Sequence, residues 1–204
     1  ARRLSSLEGF SAPDAALEQV VTPAEAAVGL LQRAYEIGDI EGRSLVDLGS
    51  GTGVLSLGAA LLGAGPVVGV ESDEGAVAVA RRNAAALGAD VTFVLGDVSS
   101  YHVPADTVVM NPPFGAQRRH ADRPFWDAAL DLARVRVYAF ALASSRTFIA
   151  RRAVARRVRV ESTEPVPWEL PRTFPHHRKP RVEIPVDLWV LAPAGTNDAP
   201  RSRN

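Results

Sequence analysis

The sequence predicts an α/β fold in which a mainly parallel sheet is covered by helices on both faces. Short apolar segments, typical of buried strands, alternate with helix-length segments along most of the chain. Glycine, aspartate or asparagine follows several of the predicted strands. Because ligands of such sheets bind at the carboxyl ends of the strands, these residues indicate a binding site at that edge.

The first elements follow from local signals. A helix is predicted over 22–37, because Thr22 is a favoured N-cap, a proline follows it, and Gly38 is typical of a helix C-terminus. The apolar segment 44–48 is predicted to be a buried strand, and the small-residue segment 54–62 after it a helix.

The next apolar strand, 67–71, ends in an acidic residue. The alanine-rich segment 73–87 favours a helix, which Gly88 ends. Two further segments, 91–95 and 107–110, are rich in β-branched residues and are predicted to be strands.

Three more strands and two helices complete the predicted domain. The strand 135–141 lies between helices at 123–133 and 145–156, and late strands are predicted at 158–161 and 182–191.

The chain is expected to form one domain with short tails, because 204 residues suffice for a single sizeable core. We expect an N-terminal tail at 1–15 and a single folded domain at 16–191. The segment 192–204 is rich in Pro, Gly, Asn and Asp and is predicted to be disordered.

Composition and charge narrow the possible functions. The chain has no cysteine, which excludes disulfides and cysteine-ligated metal, and no metal site is predicted. The net charge is zero, yet residues 1–113 hold 6 basic and 14 acidic side chains, whereas 114–204 hold 17 and 9. This asymmetry indicates an anionic partner for the second part. No signal peptide or membrane span is evident, so a cytoplasmic location is expected.

A glycine loop, Asp-Leu-Gly-Ser-Gly-Thr-Gly at 47–53, follows the first strand. Glycine lets the backbone approach a ligand closely, and the helix after it offers free N–H groups. A dinucleotide site favours Gly-x-Gly-x-x-Gly, but here the third glycine, Gly53, comes one residue early. S-adenosylmethionine (SAM) has no phosphate, and its ammonium suits the region of Asp47. The alternative is a tight strand-to-helix turn.

Two acids end the following strands. Glu71 lies about 20 residues after the loop, where a carboxylate can accept both ribose hydroxyls. Asp97 can accept the adenine amino group, while Val98 packs on the ring. The alternatives are a solvated acid at Glu71, with Asp73 capping the helix, and an ordinary Gly-Asp turn.

The sharpest feature is Asn111-Pro112-Pro113-Phe114, directly after a buried strand. The Asn111 amide oxygen and the Pro112 carbonyl are two acceptors that rigid prolines hold in place, which suits an exocyclic amine. Phe114 can stack on the ring that carries the amine. The alternative is a rigid turn with Phe114 in the core.

The order of these motifs resembles class I SAM-dependent methyltransferases that modify amino groups. Further matches resemble, more narrowly, the archaeal and eukaryotic small-subunit ribosomal RNA adenine-N6 methyltransferases: Leu17-Glu18-Gln19, Thr22-Pro23, Gly38-Asp39-Ile40, Gly115-Ala116-Gln117 and His120-Ala121-Asp122-Arg123-Pro124-Phe125. The resemblance spans about Leu17 to Leu191. Val20 and Ser50 depart from it, since the family usually has an aromatic residue and a cysteine there.

The resemblance implies a Rossmann-like, mostly parallel seven-stranded sheet with an antiparallel last strand. It implies SAM as cofactor and a site of Gln19, Thr22, Asp47, Gly49, Ser50, Gly51, Thr52, Gly53, Glu71, Ser72, Asp97, Val98 and Asn111. Asn111, Pro112, Pro113 and Phe114 would hold the target adenine.

RNA is the partner that the resemblance implies. The RNA would meet Arg118, Arg119, His120, Arg123, His176, His177, Arg178 and Lys179. A wider arginine surface is predicted from charge, with Arg118, Arg119, Arg151, Arg152, Arg156, Arg157 and Arg159. For any one of these arginines, a solvated helix face with salt bridges is the favoured alternative. A small zinc-binding activator protein that adds to the sheet edge is a further possible partner.

Other functions stay open at this point. Asn-Pro-Pro with an aromatic residue also suits DNA adenine and protein glutamine side chains, although the chain has little length for the additional domains that such enzymes use. A non-catalytic RNA-binding scaffold is the other alternative, which the intact motifs disfavour.

Overall fold

The computed structural model describes residues 2–10, 22–115, 120–171 and 181–194. Within these residues the strands are β1 (Leu45–Leu48), β2 (Val67–Glu71), β3 (Thr92–Leu95), β4 (Ala105–Met110), β5 (Ala133–Leu142), β6 (Val158–Val166), β7 (Glu169–Pro171), β8 (Arg181–Glu183) and β9 (Val186–Pro193). The helices of four or more residues are α1 (Arg2–Ser5), α2 (Ala24–Ile37), α3 (Val54–Leu61), α4 (Glu74–Leu87), α5 (Arg123–Leu132) and α6 (Arg146–Ala155).

Seven strands form one sheet in the order β3-β2-β1-β4-β5-β9-β6. Neighbouring strands from β3 to β5 are parallel, whereas β9 is antiparallel to both β5 and β6. The strand order reverses at β1, which lies between β2 and β4. The predicted fold class, including the antiparallel last strand, is confirmed.

Helices cover both faces of the sheet because side chains of each strand alternate between the faces. Leu45 and Val109 point into a core with α2 and α3, while Val46 and Val108 point into a second core with α5 and α6. Helix α4 packs in a smaller cluster around Phe93. Within the described residues, no helix has the length and apolar character needed to cross a bilayer.

The structure corrects the predicted bounds of the late strands. The predicted strand 182–191 is interrupted at Pro185, because its two parts, β8 and β9, pair with different partners. Strand β6 continues to Val166, five residues beyond the predicted end. Strand β9 extends to Pro193, and at the other end of the chain Leu4 of α1 is buried.

A buried charged cluster lies beside the beginning of β5. The Asp39 carboxylate accepts hydrogen bonds from Arg136 Nη1 at 3.0 Å and from the Tyr138 hydroxyl at 2.7 Å. Arg136 Nε also donates to Glu161 at 2.7 Å. Burial and the Asp39 charge raise the pKa of Tyr138, which keeps its hydroxyl protonated as a donor. The cluster joins the loop after α2 to β5 and β6.

Candidate active site

The glycine loop is fixed to the end of β2 by backbone hydrogen bonds. Gly49 N and Ser50 N donate to Val70 O at 2.8 and 3.0 Å. Gly51 N donates to the Glu71 carboxylate at 2.8 Å. Because β1 also pairs with β4, the loop, Glu71 and the residues after Met110 meet at one edge of the sheet. This edge is where the sequence predicts the site.

Two aromatic rings pack on the loop glycines. At Gly49, where φ is +71°, a Cβ atom would lie 2.7 Å from Phe125 Cε1. At Gly51, where φ is +53°, it would lie 3.0 Å from Phe10 Cζ. Both positions favour glycine because their backbone would strain a side chain, and at Gly49 the Phe125 ring also blocks one.

A small cavity of about 30 Å³ lies between the loop and the end of β4, lined by Phe10, Thr22, Asp47, Gly49, Ser50, Thr52, Val54, Leu55 and Asn111. Three buried polar atoms on its lining residues have no hydrogen-bond partner: Asp47 Oδ1, Ser50 Oγ and Asn111 Oδ1. Unpartnered buried oxygens are costly and point to a ligand that donates hydrogen bonds. The ammonium of SAM and an amine substrate are such donors, so the residues fit this cofactor.

Asp47 is held in place by the start of α3. Its Oδ2 accepts hydrogen bonds from Ser56 N at 3.0 Å and Ser56 Oγ at 2.5 Å. Burial raises the pKa of Asp47 to about 7, although the bonds from Ser56 lower it and the Glu71 charge raises it further. One carboxylate oxygen is thus anchored, while the other is free for a cation.

Asn111 is oriented by Thr22, which corrects the predicted N-cap of α2. Asn111 Nδ2 donates to Thr22 Oγ1 at 3.0 Å. Pro23 occupies the N-cap position instead, and no side chain caps the helix. Because the Thr22 hydroxyl fixes the amide nitrogen, the amide oxygen of Asn111 remains available as an acceptor.

Phe114 lies against an aromatic pair. Its ring meets the buried Trp168 edge to face with centroids 5.7 Å apart, and Trp168 in turn contacts Phe140 at 4.9 Å. Phe114 is half-buried, as is Pro113, while Pro112 is buried. The motif is therefore rigid, and Trp168 supports Phe114.

The acids after β2 and β3, Glu71 and Asp97, accept hydrogen bonds from different groups. Glu71 accepts hydrogen bonds from Ser72 N at 2.8 Å and Asp73 N at 3.0 Å in addition to Gly51 N. Asp97 Oδ1 accepts from Ser99 N at 2.8 Å and Ser99 Oγ at 2.5 Å, and these bonds lower the pKa of Asp97. Glu71 thus accepts from three backbone N–H groups at the predicted edge, and Asp97 is held there as a carboxylate. As predicted, Asp73 caps α4.

Two other predicted cofactor residues, Val98 and Gly53, have structural roles. Val98 is only 5% exposed and packs in the core, so its side chain offers little surface to a ring. Gly53, with φ of +91°, precedes α3. Ser72 is exposed next to Glu71.

The predicted RNA-contacting residues are described only in part. His120 is exposed with φ of +67°, and the exposed Arg123 guanidinium lies 5.4 Å from the Phe148 ring centroid. Eight predicted positions lie outside the described residues: Gln19, Val20, Arg118, Arg119, His176, His177, Arg178 and Lys179.

The wider arginine surface is largely occupied by ion pairs within the protein. Arg152 pairs with Asp127, and Arg156 pairs with both Asp127 and Asp131. Arg159 pairs with Glu161 at 2.5 Å. The prediction of a phosphate-binding surface is therefore weakened for Arg152, Arg156 and Arg159, which already have carboxylate partners, whereas Arg151 and Arg157 are exposed.

Sequence reasoning missed several residues of the site. Phe10 lies in the segment predicted to be a tail, and Asn83 and Trp168 carry no motif. Phe125 stands in the His-Ala-Asp-Arg-Pro-Phe motif without an assigned role, and Ser56 is one small residue in an apolar helix. Only the motif around Phe125 offered a signal.

Comparisons with known proteins agree with this geometry. Residues 27–159 match the family described as "methyltransferase small domain". The chain is 35% identical to an rRNA N(6)-adenosine-methyltransferase, METTL5, of Danio rerio, over 93% of this chain and 95% of the relative. It is 34% identical to the Drosophila melanogaster enzyme of the same name, over 91% of each.

A solved structure shows the same architecture. A candidate RNA methyltransferase from Pyrococcus horikoshii is 43% identical, with a TM-score of 0.86 over 93% of this chain and 94% of that chain. The motifs, the site geometry and these similarities agree. The chain therefore belongs to the SAM-dependent methyltransferase small domain family and, within it, to the rRNA N(6)-adenosine-methyltransferases.

Proposed function

We propose that this protein transfers a methyl group from SAM to the N6 amino group of an adenine in small-subunit ribosomal RNA. The observation that carries the proposal is the buried, unpartnered Oδ1 of Asn111, a residue that lines the cavity and whose amide is oriented by Thr22. An exocyclic amine satisfies this acceptor. The cytoplasm, where ribosomes work, is the compartment that this substrate implies.

The chemistry requires little from the protein beyond orientation. When bound, SAM would supply an electrophilic methyl group: the N–C bond forms as the sulfonium S–C bond breaks, the neutral thioether leaves, and the amine releases one proton to water. The adenine amine is conjugated and weakly nucleophilic, and accepting its hydrogens at Asn111 Oδ1 and the Pro112 carbonyl frees the nitrogen lone pair. Phe114, backed by Trp168, stacks on the base. Orientation and fixed dipoles therefore carry the rate enhancement.

The target adenine must leave its stack to reach the site. Because the acceptors lie at the end of a buried strand, a paired base could not present its amine to them. RNA loops offer unpaired bases at low cost, which favours RNA over duplex DNA.

The experiment that tests this proposal offers all substrate classes to the protein at once. Purified protein is incubated with methyl-labelled SAM and a lysate from a strain that lacks the gene, and label is measured in small-subunit rRNA, large-subunit rRNA, DNA and protein. We expect label in small-subunit rRNA. Label in DNA or in protein glutamine would instead assign one of the alternative activities.

Asp47 predicts a pH dependence of SAM binding. Because its folded pKa is raised to about 7, the ionised form that attracts an ammonium becomes populated as pH rises. We expect the SAM dissociation constant to fall about tenfold between pH 5.5 and 7.5. Calorimetry measures this, and Asp47→Asn should bind weakly at both pH values.

The same group acts on stability with the opposite sign. An acid whose folded pKa lies above its unfolded value of 3.8 stabilises the fold at low pH, and that contribution is lost as pH rises from about 4 to 7. In the absence of SAM, the free energy of unfolding of the wild type should therefore fall as pH rises from about 4 to 7, and Asp47→Asn should lack this part of the fall.

A SAM affinity that does not change with pH would contradict the role of Asp47.

A small zinc-binding activator protein, we also propose, pairs with strand β3. Among the described strands, β3 and β6 each pair on one side only, but β6 carries Arg159, Glu164 and Pro165, which discourage pairing. Strand β3, Thr-Phe-Val-Leu, has neither charge nor proline, and its Leu95 is 50% exposed. Of these two edges, β3 therefore suits an added strand better.

A glutamate substitution on each edge strand distinguishes pairing at β3 from pairing at β6. Leu95→Glu should abolish co-purification with the co-expressed activator, whereas Val160→Glu on β6, a matched change at a 37% exposed position, should leave it intact. The reverse result would place the activator on β6, and retention by both variants would exclude pairing at either position.

A further inference from the structure

The N-terminal segment, residues 2–10, packs across the cofactor site. Leu4 is 8% exposed and belongs to the core formed by α2 and α3. Leu7 packs against two hydrophobic clusters. Apolar contacts thus attach the segment to the domain, and its last residues lie beside the glycine loop.

Asn83 of α4 joins this segment to the glycine loop. Its Oδ1 accepts a hydrogen bond from Glu8 N at 2.9 Å, and its Nδ2 donates to Glu8 O and to Thr52 O, both at 3.0 Å. The side chain is 3% exposed. A buried amide that satisfies both backbone groups of one residue and a carbonyl of the loop fixes their relative position.

Phe10 follows two residues after Glu8 and forms a wall of the cavity. Its ring packs on Gly51. The cavity that the ring lines is also lined by Thr22, Asp47 and Asn111. The ring therefore lies where a cofactor held by Asp47 and the glycine loop would meet it.

We propose that residues 2–10 form a strap that holds Phe10 in contact with bound SAM. Asn83 is the positioning residue that holds Phe10 at the loop, and it acts through the backbone of Glu8. The inference rests on SAM binding at this site and is independent of which nucleic acid or protein is methylated.

The test measures the rate of SAM dissociation from the full chain, without RNA. Phe10→Ala should raise this rate about tenfold, a loss equal to about 1.4 kcal/mol and typical of one aromatic contact. Asn83→Ala should raise it about fivefold with Phe10 intact. Phe10→Leu keeps part of the apolar wall and should restore most of the wild-type rate.

Arg82→Ala is the matched control. It removes the ion pair between Arg82 and Glu8, whose side chains are 53% and 58% exposed. The strap thus loses one exposed contact, while Asn83 and Phe10 are unchanged. Its dissociation rate should stay within about twofold of wild type.

Three outcomes would overturn the strap. These are unchanged rates in both Phe10→Ala and Asn83→Ala, tighter SAM binding by Phe10→Ala, and an equal rate increase in Arg82→Ala. A wild-type protein that does not bind SAM would instead contradict the proposed function. Thermal unfolding of each variant confirms that the rates come from folded protein.

Discussion

Replacing Asn111 with alanine is expected to lower the rate of methyl transfer by about 10²–10³-fold, the loss typical of one oriented polar group in an active site. The substitution removes the acceptor for the amine but keeps the glycine loop and Asp47. The SAM dissociation constant should therefore change only a few-fold. Single-turnover methylation of ribosomal RNA and calorimetry with SAM measure the two effects separately.

Thr22 provides the paired control for this prediction. Thr22→Ser keeps the hydroxyl that accepts from Asn111 Nδ2, and turnover should stay close to wild type. Thr22→Val removes the acceptor and leaves the amide free to rotate, so turnover should fall about tenfold. Near-normal turnover of Asn111→Ala would contradict the assignment of Asn111 as the residue that holds the amine.

Replacing Asp39 with alanine is expected to lower the free energy of unfolding by about 3 kcal/mol, at the low end for breaking a buried ion pair. Asp39 is 2% exposed, and its loss removes a carboxylate that accepts hydrogen bonds from both Arg136 Nη1 and the Tyr138 hydroxyl. For a chain of this size the melting temperature should fall by about 10 °C.

The exposed pair between Glu8 and Arg82 serves as the control for the buried one. Glu8→Ala removes an acid of the same kind from a pair with side chains 58% and 53% exposed, and it should cost less than about 1 kcal/mol. Urea unfolding of both variants gives the comparison. Equal losses would show that burial of the Asp39 cluster adds nothing to stability.

The sheet and most of the site could be predicted because their signals are local. The predicted strands end where Gly49, Glu71 and Asn111 stand, and parallel pairing brings those ends together without further information. Gly38, Gly88 and Asp73 end or begin helices through their own backbone or side-chain chemistry, and the structure confirms all three.

The rest depends on contacts between distant segments, which local patterns do not contain. The Thr22 hydroxyl could cap α2, but in the fold it lies within reach of Asn111, 89 residues away. In the sequence, Asn83 cannot be told from any other polar residue of a helix, because its partners Glu8 and Thr52 lie beside it only in the fold. In the sequence, Arg152 of α6 and Arg156 directly after it carry no sign of a partner, yet Asp127 and Asp131 of α5 pair with them in the fold.

The central claim is tested most directly by mass spectrometry of ribosomal RNA methylated in vitro. Small-subunit rRNA from a strain that lacks the gene is incubated with the protein and SAM, and nucleosides and nuclease fragments are then mapped. We expect N6-methyladenosine at one unpaired position, absent with Asn111→Ala. Methylation of another atom or base, or none while SAM binds normally, would contradict the proposed function.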